Sequence, residues 1–262
     1  NTISGSVGVG TGGVTEAFKN RVIYPYAMSN QQTHHVLGHE LVHAFQYNMI
    51  LRGDSTNIQN LSNLPLWMVE GLAEYLSIGR VDAHTAMWMR DAVLQDDVPT
   101  IKQLNNPKYF PYRYGQMFWA FTTGLLGDGA IAPYFTNTAK YGFENATLRA
   151  FGMKSKNVSD LWVKTLKDFY TPQLDDKKER TIGDPLISQD NSGRMNIAPV
   201  ISPNGRYVAF LSEKNLASID LFLADARTGE VIRTLSSSTK DTHIDDYNYI
   251  ESAGAWSPNS KQ

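Results

Sequence analysis

The sequence predicts an α+β chain in three stretches: a mainly helical unit with a small sheet over residues 1–172, a linker over 173–195, and a partial all-β segment over 196–262. Three observations carry that expectation. Between Ser29 and Tyr170, apolar residues recur with helical spacing in stretches bounded by Gly, Pro or Asn. Between Pro172 and Asn196 the composition turns to Pro, Asp, Lys, Glu, Ser and Gly without apolar periodicity, the mark of a linker. Beyond it, short β-branched and aromatic runs alternate with turn residues, and a Ser-Pro-Asn turn returns after 55 residues.

Taken in order, the five glycines between Gly5 and Gly13 predict a loop, and Arg21-Val22-Ile23-Tyr24-Pro25-Tyr26 a short strand. Ser29 and Gln32 form an S-x-x-Q capping box that starts a helix, with Leu37, Leu41, Ala44 and Phe45 as its core stripe. A second helix runs from about Asn63 to Ile78, tolerates Pro65 in its first turn and stops at Gly79. Asp82–Leu94, Tyr112–Leu126, Glu144–Phe151 and Val158–Tyr170 read as further helices. In the last segment, Ser202-Pro203-Asn204-Gly205 predicts a turn before a strand ending at Leu211. Ile219–Ala224 and Glu230–Leu235 read as two more strands around a Thr228-Gly229 turn.

Size and charge exclude several functions. With 262 residues, core material is ample, and 24 basic against 26 acidic residues with no Lys/Arg cluster argue against nucleic acid as a partner. No apolar run is long enough for a membrane span, and the Gly/Ser/Thr-rich start lacks the charged and apolar regions of a signal peptide. The absence of cysteine excludes disulfides and a thiol nucleophile. It fits a reducing cytosol and the cysteine-poor proteins of bacterial envelopes alike. We expect an extracytoplasmic protein, periplasmic, at the cell surface or secreted.

The chemistry is concentrated in His39-Glu40-Leu41-Val42-His43 and, 27 residues after His43, in Glu70 of Trp67-Met68-Val69-Glu70-Gly71-Leu72-Ala73-Glu74-Tyr75. Two histidines four apart on a helix project from one face about 6 Å apart, so both imidazoles reach one Zn²⁺, with Glu40 between them aimed at water on that metal. Glu70 supplies an anionic third ligand from another helix, and one position stays open for water. That pattern points to hydrolysis with Glu40 as general base. Glu74, one turn after Glu70, is placed to accept a hydrogen bond from a ligating imidazole. His35, one turn before His39, is expected to pack or to hydrogen-bond behind the site. His34, His84 and His243 lack a partner motif.

The stretches His35–Tyr47 and Trp67–Tyr75 resemble the gluzincins, the thermolysin-like and aminopeptidase-like zinc metallopeptidases, and more narrowly a bacterial branch of peptidase-MA-like proteins. Over residues 10–170 the resemblance implies His39, His43 and Glu70 as zinc ligands, Glu40 as the base, Zn²⁺ as the cofactor and a peptide or protein substrate. Where thermolysin-like relatives place an aspartate, this chain has the longer Glu74. Tyr109, Tyr112 and Tyr114 lie at a helix start, and Tyr112-Arg113-Tyr114-Gly115 resembles the Tyr-x-x-Gly of zinc aminopeptidases. That resemblance makes Tyr112 the donor to the developing oxyanion, with Tyr114 as the alternative. Residues 196–262 resemble a TolB-like β-propeller, about one and a half blades of it, and imply a protein partner there. No Gly-x-Met-x-Asn exopeptidase signature stands near the metal helix, which favours endopeptidase action unless Glu16 closes one end of the cleft. A competing reading is a catalytically silent scaffold that binds through the propeller. A purely structural zinc site conflicts with three protein ligands and no cysteine.

Overall fold

The computed structural model describes residues 12–17, 21–25, 29–51, 55–174, 183–215, 218–237, 239–240 and 254–262. These fall into two compact units, one within residues 11–180 and one within 181–262. In the first, strands β1 (Val14–Glu16) and β2 (Arg21–Ile23) pair antiparallel with Glu16 opposite Arg21. The strand expected to reach Tyr26 stops at Ile23 before Pro25; Tyr26 and most of the glycine-rich loop lie outside the described residues. Glu16 is engaged within the hairpin, where Arg21 Nε donates to its carboxylate at 2.6 Å.

Helix α1 (Asn30–Leu51) starts where the capping residue predicts, with Gln32 N donating to Ser29 Oγ at 3.2 Å. Its expected core stripe is wrong. Leu41 is 44% and Phe45 68% exposed, while His39, Glu40, His43 and Gln46 are buried. Apolar spacing fails here because these polar side chains find partners on neighbouring elements, His39 at Glu74, Glu40 at Thr15 and Gln46 at Val69 O, which offsets much of the penalty for burying them.

A 3₁₀ turn over Ser55–Asn63 precedes α2 (Leu66–Ile78), which therefore begins after Pro65 rather than at Asn63. Gly79 at φ +91 ends it. In α3 (Ala83–Leu94), Asp82 caps the start by accepting from Thr85 N at 2.7 Å. Then follow α4 (Pro111–Leu126), α5 (Ile131–Tyr141), α6 (Phe143–Phe151) and α7 (Ser155–Tyr170). Helix α5 was not expected: it carries Pro133 in its first turn and is poor in strong helix formers. It is held by burial of Tyr134, Phe135, Thr138 and Ala139.

Trp67, Phe118, Trp119, Tyr134, Phe135 and Trp162 form the centre of this unit and are at most 1% exposed. Each buried indole N–H has an acceptor: Asn105 Oδ1 for Trp67, Met68 O for Trp119 and Pro99 O for Trp162. Helices α2 and α4 meet backbone to backbone at Gly71 and Gly115, where a Cβ on either glycine would run into the other helix.

The second unit is one antiparallel meander in the order β3 (Asn196–Ile201), β4 (Tyr207–Ser212), β5 (Asp220–Asp225), β6 (Val231–Ser236). Strand β3 was not expected because it contains Pro199 and a bulge between Ile197 and Val200, both of which interrupt a regular ladder. Val208, Phe210, Phe222 and Ala224 form its core, against which Leu186 and Ile187 of the expected linker pack. Residues 175–182 of that linker lie outside the described residues.

The turn at Ser202 and the turn at Ser257 are duplicates. In the first, Ser202 Oγ donates to Asn204 Oδ1 and accepts from Tyr207 N, and Asn204 Oδ1 accepts from Arg206 N. In the second, Ser257, Asn259, Lys261 and Gln262 repeat those three bonds. Gly205 at φ +70 and Ser260 at φ +58 share the left-handed position. Among the described residues the sheet does not close into a barrel or propeller.

Candidate active site

Helices α1 and α2 bring three donor atoms together. His39 Nε2 and His43 Nε2 stand 3.0 Å apart, and Glu70 Oε2 lies 3.1 Å from the first and 3.2 Å from the second. The i, i+4 spacing puts both imidazoles on one face of α1, and α2 presents Glu70 to them. His39 and His43 belong to the buried polar face of α1, and Glu70 meets them from α2.

The tautomers follow from the outer partners. His39 Nδ1 meets Glu74 Oε1 at 2.9 Å, and His43 Nδ1 meets Gln46 Oε1 at 2.8 Å. Gln46 Nε2 donates to Val69 O at 2.9 Å, which fixes the amide so that its oxygen faces the ring. Both Nδ1 atoms therefore donate, which in the neutral imidazoles leaves both Nε2 lone pairs pointing at the Glu70 oxygen. In that tautomer three acceptors face one another, an arrangement that a cation between them would satisfy.

Those separations are close to the ~3.4 Å edge of a tetrahedron with arms of about 2.1 Å, the size of a Zn²⁺ site with nitrogen and oxygen ligands. His39, His43 and Glu70 thus fit a divalent metal. With no metal counted, protons hold the same atoms together, and a metal would have to displace them. Burial pulls the His39 imidazole down, but hydrogen bonds and charge from Glu70 and Glu74 outweigh it and push it up to about 9. Burial lifts the Glu70 carboxyl, yet hydrogen bonds from His39 and His43 hold it at about 2.

Behind the donors lies a second set of groups. Glu74 Oε1 also meets His35 Nε2 at 2.9 Å, so one carboxylate oxygen serves two histidines one turn apart. Arg113 Nη1 stands 3.1 Å from Glu74 Oε2. Its N–H misses the oxygen, leaving that atom without an aligned donor, so the attraction is between charges. Arg113 also reaches Asp82 Oδ2 at 3.4 Å, tying the site to the cap of α3. Burial raises the Glu74 carboxyl, but hydrogen bonds from His35 and His39, with the charges of His35 and Arg113, bring it to about 2.

The Glu40 carboxylate is buried against β1, where Thr15 Oγ1 lies 2.6 Å from its Oε2. A Cβ on Gly13 would collide with the Glu40 side chain, so the strand approaches this carboxylate closely only because residue 13 has none. Among the three phenols at the α4 start, Tyr112 is the one that stacks on His39, with ring centres 5.6 Å apart and planes at 23°. Burial, then the charge of Glu70 and a hydrogen bond to it, raises the Tyr112 phenol, so it stays a donor. Tyr109 instead donates to Asp97 Oδ1 at 2.9 Å, and Tyr114 is buried edge-on against Trp88 and Tyr109.

His34 and His84 are exposed and outside the cluster, and His243 lies outside the described residues. Sequence reasoning passed over Gln46, Thr15 and Arg113. The signal for Gln46 was its place three residues after His43, within reach on one helix face. Thr15 and Arg113 act across 25 and 39 residues of chain, distances over which spacing says nothing.

A family model described as peptidase of plants and bacteria matches residues 2–164. Neither a curated protein nor a solved structure matches the chain.

Proposed function

The chain belongs to the family of peptidases of plants and bacteria, and on that premise we propose that it hydrolyses peptide bonds as a gluzincin-type zinc enzyme. The observation that carries the reading is the convergence of His39 Nε2, His43 Nε2 and Glu70 Oε2 within 3.2 Å of one another. Zinc at those three atoms would lower the pKa of water from 15.7 toward about 7 and polarise the scissile carbonyl.

The chain's own residues do the rest. Glu40 takes a proton from the attacking water on its carboxylate and passes it to the leaving amine, with the Thr15 hydroxyl fixing one oxygen of that carboxylate. Tyr112 donates its phenolic proton in a hydrogen bond to the developing oxyanion. Glu74 and Gln46 hold the two imidazoles with their Nε2 lone pairs inward. Residues 196–262 we read as the start of a TolB-like propeller, on the strength of the duplicated turn. The catalytically silent alternative would leave the buried Glu40 and its Thr15 partner without a chemical role.

The test is Glu40→Gln measured alongside chelation. We expect about one zinc per chain in both wild type and variant, hydrolysis of an unstructured protein that stops with chelator, and a variant rate lower by about 10² to 10⁴. Wild-type turnover surviving full zinc removal would exclude the mechanism.

A further inference from the structure

Four aromatic rings run outward from the metal ligands. Tyr112 stacks on His39; Phe110 lies 5.0 Å from Tyr112 with planes at 31°; Trp88 lies 5.6 Å from Phe110 with planes at 28°. Trp88 is anchored in turn, edge-on to buried Tyr114 at 6.3 Å. Phe110 is nevertheless 41% exposed, although it is flanked by a ring on each side. Core packing accounts for Trp88 and Tyr114 but not for a large apolar side chain held in place at the surface, at the cap of α4, one residue from the helix that carries Tyr112.

We propose that Phe110, with Trp88 behind it and Tyr112 beside it, is a substrate subsite that takes a large aromatic side chain of the peptide next to the bond that is cut. The inference rests on the peptidase reading above. Continuity argues for it: the ladder begins on a metal ligand, so a peptide whose carbonyl reaches Tyr112 lays its neighbouring side chain within reach of Phe110. Preordering argues for it as well. Because the rings already hold one another, a bound ring gains edge-to-face or offset contact without ordering a mobile side chain first. The ladder is uncharged and selects by shape and apolar area, so it discriminates against small and charged residues alike.

The experiment uses the full chain carrying Glu40→Gln, loaded with zinc, and two peptides that differ only in Phe or Ala beside the scissile bond. Calorimetry should give roughly tenfold tighter binding of the Phe peptide. Phe110→Ala on the same background should erase that preference, and Phe110→Leu should keep part of it, which separates a lost contact from a damaged fold. Equal affinity for the two peptides, or a preference that survives Phe110→Ala, overturns the subsite. Because binding is read in a variant that lacks the base, failure of wild-type turnover would count against the hydrolytic mechanism and leave this comparison to stand or fall alone.

Discussion

Helices α1 and α7 solve burial in opposite ways. Helix α7 hides Val158, Trp162, Leu166 and Tyr170, one residue in four along a single stripe. Helix α1 hides His39, Glu40, His43 and Gln46 and leaves Leu41 and Phe45 exposed. Water is displaced from both. On α7 that displacement is itself the stabilising term; on α1 it sets up directed donors and acceptors whose pairing offsets their desolvation. Over the two turns from His39 to Gln46, α1 buries polar side chains while Leu41 and Phe45 stay exposed, and that local inversion marks where its polar groups are put to use; at its end Ile50 and Leu51 are buried in the ordinary way.

The comparison is most sharply tested by a crossed pair of substitutions. His39→Ala should abolish stoichiometric zinc and with it turnover. Trp162→Ala should cost about 3–5 kcal/mol of stability while folded molecules keep wild-type zinc. Metal analysis and urea unfolding on both variants would check this, and a His39→Ala protein that still holds zinc would break the distinction. Next in size is Tyr112→Phe, which keeps the ring stacked on His39 and removes only the hydroxyl. We expect kcat to fall about 10² to 10³ with little change in the unfolding midpoint. A wild-type rate would move the oxyanion donor elsewhere. The smallest effect belongs to Phe45→Ser on the exposed face of α1. Its stability should stay within about 0.5 kcal/mol of wild type, and a larger loss in urea unfolding would mean that this face is covered in solution.

What was legible in the sequence divides along the same line. Helix α7 and the start of α1 could be read because periodicity and capping are local. The meeting of His39, His43 and Glu70 could be read because i, i+4 spacing puts side chains on one helix face, and the place of Glu74 because it lies one turn from Glu70. The side that α1 buries could not, since the apolar pattern assumes polar groups prefer water, and here they prefer one another. Helix α5 and strand β3 escaped because their local signals are weak: α5 is poor in strong helix formers, and Pro199 interrupts the β3 ladder, so burial and the flanking strand decide them. Thr15 and Arg113 enter the site through tertiary approach alone.

The contact between Gly71 and Gly115 acts as a spacer of zero thickness. Glu70 and Glu74 ride on one helix beside it, Tyr112 and Arg113 on the other, so the clearance at this crossing gauges the gap between the acidic and phenolic halves of the site. A single methyl group inserted there would work as a wedge and detune groups it never touches. Such a lesion would look like a catalytic fault in an assay and like a packing fault in the coordinates, with every reactive residue still in the gene. Tolerance to substitution at these two positions is therefore a readout of how finely the chemistry depends on the distance between two helices.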